Sequence, residues 1–238
     1  IIALRTDQAA ALITQQAFAL TTAQLVALET RDFASITSDS IAALQTAQVV
    51  ALTTAQVSAL TTEQLSSLTT AQLVKMETDD LAAITTAQIS ALTTAQISSL
   101  TTAQVVALST DQIAALTTTQ LAAFTTAQLV KMETADLAAI TTAQISALKT
   151  AQMAALTSDQ VLTLTTNQLG ELKTAQIAAL TTANLAVITT DQLTAFTSAQ
   201  IAALTTAQIV ALTTAQVSTL STEQLSSLTT AQLVKMQT

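Results

Sequence analysis

An eight-residue repeat runs from Leu4 to Lys235 as 29 complete octads, with no insertion or deletion. Typical units are LTTAQVSA at Leu52, LTTEQLSS at Leu60, LTTAQLVK at Leu68 and ITTAQISA at Ile84. Counted from the leading residue, position 1 is always Leu, Ile, Met or Phe, and position 3 is always Thr or Ser. Position 5 is Gln in 24 octads; Asp32, Ser40, Asp80, Asp136 and Asn184 are the exceptions. Position 6 is a large apolar residue except at Ala9 and Ala17, and positions 7 and 8 are mostly Ala, Ser or Val. Such a chain has no long loops on which to carry a catalytic site. It folds by stacking like units on one another.

An octad can be built in three ways. One continuous helix fails, because eight residues at about 100° each turn the apolar stripe by about 80° per repeat. A β-solenoid suits the Thr, Val and Ile content, and Gln could stack in ladders. However, positions 1 and 6 have opposite parity, so one would face outward unless a corner intervened. Corners favour Gly, Asn or Asp, and the chain has one Gly. The third way is one very short helix per octad, which the local chemistry favours. Thr or Ser followed by Ala, Asp or Glu and then Gln is a helix start, as in Thr62-Glu63-Gln64 and Ser158-Asp159-Gln160.

Either Thr could be the cap. With position 2 as cap, Thr-x-x-Gln is a capping box, and positions 1 and 6 form a hydrophobic staple. But position 2 varies (Arg5, Ile13, Glu29, Lys149, Lys173), whereas position 3 never leaves Thr or Ser. That contrast points to position 3, with Thr70, Thr94 and Ser158 as representative caps. The expected fold is therefore all-α, a solenoid of very short helices, with the β-solenoid as the alternative. Its core columns are positions 1 and 6, represented by Leu68, Leu73, Leu92 and Ile97. From Glu63 onward the position-4 acids Glu63, Asp79, Asp111, Asp159, Asp191 and Glu223 lie multiples of sixteen apart. This phase predicts two octads per turn, against three-octad turns as the alternative. Residues 1–238 read as one uninterrupted array, and the chain, which lacks an initiator Met and stops within an octad, as a fragment of a longer one.

Composition narrows the function. There is no His and no Cys, which removes the usual ligands for zinc, copper and haem, and the usual nucleophile–base pairs. No cofactor is implied, and an unbroken solenoid offers no cleft for catalysis. Seven basic residues against fifteen acidic ones make a poor phosphate-tracking surface. Thr and Gln interrupt every apolar run, so no membrane span is expected. A charged segment occurs twice, at Lys75-Met76-Glu77-Thr78-Asp79-Asp80 and Lys131-Met132-Glu133-Thr134-Ala135-Asp136. Asp79, Asp80 and Asp136 are weak candidates for a hard cation such as calcium. The plainer reading is a helix start whose Gln became Asp.

The octad Leu-Thr-Thr-Ala-Gln-Ile-Ala-Ala resembles the Thr/Ala/Gln-rich short repeats of very large bacterial surface and secreted proteins, often described as adhesin-like. The resemblance covers the chain from Leu4 onward. It implies an extracellular or cell-surface stalk, fibre or matrix component of a bacterium. The structural expectation is a filament or stalk built by stacking octads, self-associating end to end and laterally. The alternative is a binding module whose Thr-rich outer face recognises ice, a polysaccharide or other glycan, or a partner fibre.

Overall fold

A computed structural model describes residues 4–236. It contains one helix in every octad, 29 in all among the described residues, each of four to six residues, and no strand. They are numbered α1 (Thr6–Ala10) to α29 (Thr230–Leu233) in chain order. Every helix begins at position 3. The residue before it is extended, as at Thr69 (φ −69°, ψ 156°) ahead of α9 (Thr70–Leu73). The helix stops when position 1 of the next octad leaves helical space, as Leu68 does (φ −58°, ψ 138°) after α8 (Thr62–Ser67). Two extended residues, positions 1 and 2, thus form each corner. No described residue has a positive φ, which is why the corners need no glycine.

Helices this short do not persist alone, so each is held by packing. Within each of the two compact units described below, the partner is the third helix along. α5 (Ser38–Ala42) packs on α8, α7 (Thr54–Ala59) on α10 (Thr78–Ala83), α11 (Thr86–Ala91) on α14 (Thr110–Ala115), and α19 (Thr150–Ala155) on α22 (Thr174–Ala179). One turn is therefore three octads, and the expected two-octad turn is wrong. The misleading signal was the phase of the position-4 acids. Position 4 is the second residue of each helix and is mostly exposed, so its spacing is not governed by what stacks on what. The β-solenoid alternative is excluded. Its objection, the opposite parity of positions 1 and 6, disappears because a helix and a corner separate them.

The chain forms two compact units, Ile1–Ala123 and Phe124–Thr238. The first holds α1 to α15 (Thr118–Leu121), five turns of three helices; the second holds α16 (Thr126–Leu129) to α29. Each is built alike. Leu73 and Ile97 at position 6 are fully buried, and Leu68 and Leu92 at position 1 are 3% exposed. Position 6 is covered by the turn that follows: in the last turn, Leu225 and Leu233 stand 43% and 45% exposed. Position 5 is covered by the turn before. Gln8, Gln16 and Gln24 in the first turn are exposed, whereas Gln48 onward are buried. The array has a direction, with amides facing backward and apolar side chains facing forward.

Candidate functional site: a buried column of glutamines

Glutamine is an unusual residue to bury repeatedly, since each amide carries both donors and acceptors that need partners. The structure supplies them all: no buried side-chain nitrogen or oxygen among the described residues lacks one. Gln96 in α12 (Thr94–Ser99) is typical and 2% exposed. The Thr93 N–H donates to its Oε1 (2.8 Å), and the Gln96 N–H donates to Thr93 Oγ1 (3.1 Å). That reciprocal pair is a capping box, and it places the cap at position 2. Thr69, Thr93 and Thr157 are the caps. Thr70, Thr94 and Ser158 are instead the first helical residues, which corrects the expectation drawn from the constancy of position 3. The cap tolerates variation because the glutamine half of the box needs only a backbone N–H. Lys149 and Lys173 still donate theirs to Gln152 and Gln176, at 2.7 and 2.8 Å.

The other end of the amide reaches back a full turn. Nε2 of Gln96 donates to the carbonyls of Leu68 (2.7 Å) and Leu65 (3.1 Å), and lies 3.2 Å from that of Ser66. These carbonyls belong to the end of α8 and the corner after it. The last carbonyls of a helix have no partner of their own. One side chain thus closes the start of its own helix and reaches carbonyls at the corner one turn earlier, where that of Leu68 has no other partner. Gln72 does the same with Leu44 (2.6 Å) and Ala42 (3.1 Å), and Gln200 with Leu172 (2.7 Å) and Leu169 (2.9 Å). From sequence, the glutamines could stack in ladders as in a β-solenoid, or close a capping box on their own helix. The structure joins the turns through backbone carbonyls rather than through other glutamines, and the same side chain, as Gln96 shows, also closes the start of its own helix.

The five exceptions at position 5 are buried too, and test the requirement. Asn184 is too short to do everything. Its Nδ2 still donates to Leu156 O (3.0 Å), 28 residues back, while its Oδ1 lies 3.4 Å from Ser158 Oγ. Ser40 donates to Leu12 O (2.8 Å). The aspartates have no hydrogen to give and become acceptors. Asp32 accepts from Thr6 Oγ1 (2.6 Å) and from Arg31 Nε (3.3 Å). Asp80 accepts from Thr54 Oγ1 (2.8 Å), and Asp136 Oδ2 accepts the Glu133 N–H (3.3 Å). Of the weak cation candidates, Asp79 is exposed while its neighbour Asp80 is buried, and Asp136 belongs to the second unit. Among the described residues no three carboxylates come together as a metal site. The surface hollow around Gly170, about 480 Å³ and lined by Thr142, Thr166, Asn167, Glu171 and Ala195, is open to solvent.

Outward, the rows differ in charge. In the first unit, α3 (Thr22–Val26), α6 (Thr46–Val50), α9, α12 and α15 form one row of stacked helices without a charged residue. That row lines up Thr22, Thr46, Thr70, Thr94 and Thr118, with Val26 and Val50 partly exposed beside them. No described helix is long and apolar enough to cross a membrane.

The sequence model of one protein family, described as the ALTTAQ repeat, matches this chain in overlapping segments that together span residues 25–238. The hexad in that description is position 8 followed by positions 1 to 5, as in Ala51-Leu52-Thr53-Thr54-Ala55-Gln56. It contains the core residue of the corner, the cap and the glutamine. No curated protein matches the chain.

Proposed function

The chain belongs to the ALTTAQ repeat family of structural repeat proteins, and we propose that it forms the body of an extracellular filament or cell-surface stalk, elongated turn upon turn. The observation that carries this reading is the glutamine column. Each turn presents carbonyls and position-6 apolar side chains forward, and amides backward, so every turn is a template for the next. Whatever follows the last turn, further octads or the first turn of another copy, meets the same surface: Leu225 and Leu233 beside open carbonyls. Whatever precedes the first turn meets the exposed amides of Gln8, Gln16 and Gln24. A contact between unlike ends does not close on itself, and so yields an open fibre.

Electron microscopy of the purified protein over a hundredfold range of concentration tests the filament. Fibres that lengthen with concentration, with an axial repeat of about 10 Å set by the distance between packed helices, are the expected result. Particles of constant length at every concentration would refute self-assembly and leave a spacer role. A second reading rests on the uncharged Thr row of the first unit: a face that recognises a repetitive neutral surface, such as a polysaccharide or ice. Replacing Thr46, Thr70 and Thr94 with Lys should then abolish adsorption without altering helix content.

A further inference from the structure

Asp80 occupies a place where buried amides such as Gln72 and Gln104 donate hydrogen bonds one turn back, yet it is 3% exposed and no ion pair among the described residues includes it. Asp32 differs, because Arg31 lies against its carboxylate. By the register of the column, the carbonyl opposite Asp80 is that of Leu52, at the corner before α7. An ionised carboxylate has nothing to donate there. It accepts from Thr54 Oγ1, 26 residues back, and stops at that. Asn184 has both groups: its oxygen lies near the Ser158 hydroxyl 26 residues back, and its nitrogen donates to the Leu156 carbonyl 28 residues back. A protonated aspartic acid has the shape and the donor–acceptor pattern of asparagine.

The surroundings favour the proton. α10 packs on α7 and on α13 (Thr102–Ala107), and neither of those helices carries a titratable side chain. The charges nearby in sequence are Lys75, which forms no ion pair with Asp80, and the carboxylates Glu77 and Asp79. Burial, reinforced by those two carboxylates and opposed by the Thr54 hydrogen bond, holds the Asp80 carboxyl above its ordinary value of 3.8.

We propose that the seam between α7 and α10 closes with acid: Asp80 takes a proton from solvent and donates it in a hydrogen bond to the Leu52 carbonyl, while still accepting from Thr54. Because the folded carboxyl holds its proton more tightly than the unfolded one, acid favours the packed turn. The contribution is complete below the ordinary aspartate range and is lost as pH rises through the higher value of the folded state. In a column made mostly of glutamine amides, which donate at any pH, this seam is conditional.

Amide hydrogen exchange on the full chain at pH 4 and pH 7, corrected for intrinsic rates, tests the proposal in segments 52–59 and 78–83. Opening of those segments should fall several-fold at pH 4, and Asp80→Asn should show the acid-like protection at both values. Segment 182–187, around Asn184, is the internal reference, and the change is read relative to it. Protection at α7 and α10 that is equal or weaker at pH 4, or an unchanged pH dependence in Asp80→Asn, would overturn the proposal. Should that variant fail to fold, carbon NMR of the wild-type Asp80 carboxyl decides: a midpoint above 3.8 is expected, and one at or below it refutes the seam.

Discussion

Replacing Gln96 with Leu removes the hydrogen bonds of one column member while keeping roughly its volume. Four groups lose a partner; the Ser66 carbonyl, at 3.2 Å the most distant of the three that share the amide, loses least. The Leu68 carbonyl accepts no other hydrogen bond and sits at a buried corner, so stranding it costs about 1–3 kcal/mol. The Leu65 carbonyl is less affected, because it keeps the Leu68 N–H at 3.3 Å; about 0.5–1 kcal/mol is lost there. The Thr93 N–H loses the Oε1 half of its capping box, worth about 0.5–1 kcal/mol. The sum is about 3 kcal/mol, concentrated in the contacts of α12 with α9 and with the α8 corner. Thr94→Ala is the matched control: Thr94 is exposed, and its hydroxyl makes no bond in the box, so it should change stability by under about 0.5 kcal/mol. The assay is urea unfolding followed by circular dichroism, with hydrogen exchange over residues 60–75 and 92–107 to locate the loss. A long repeat array need not unfold in one step, which makes the local measurement the deciding one. If Gln96→Leu is as stable as Thr94→Ala in both assays, the glutamine column is not what joins the turns.

Lys149→Thr should stabilise by about 0.5–1 kcal/mol, by restoring a hydroxyl that accepts the Gln152 N–H; a thermal melt that does not rise would count against position 2 as the cap. Leu73→Ala opens a cavity at a fully buried site and should destabilise by about 2–5 kcal/mol, whereas Leu233→Ala, in the uncovered last turn, should cost well under half of that in the same urea titration. Deleting residues 84–107, one full turn, should leave the helix content per residue unchanged by circular dichroism, because every remaining octad keeps its row. Inserting one residue between Leu100 and Thr101 should lower helicity and cooperativity, and an indifferent response would argue against stacking in register.

Much of this architecture is local, and to that extent the sequence alone determined it. The unit of eight, the helix in each unit and the inward columns Leu68, Leu73, Leu92 and Ile97 all follow from contacts within a few residues: hydroxyl and amide groups at a helix start, and apolar side chains at fixed spacing. The cap was harder to read. Constancy at position 3 looked like the stronger signal, but position 2 can vary because Gln152 or Gln176 holds the backbone N–H of Lys149 or Lys173 from the other side. The position-5 exceptions were visible in sequence as well, though not as the residues that decide how a turn is sealed. What only the tertiary structure decided is the number of octads per turn, and with it the identity of every partner one turn away. That number depends on the bend at two extended residues per corner, repeated until the chain returns over itself. Many residues have similar access to those backbone angles, so no residue type records the bend. The buried state of Asp80 belongs to the same class of fact. Its partner Thr54 is brought to it by the closing of a turn, which also sets the register that puts Leu52 opposite, and not by any pattern within its own octad.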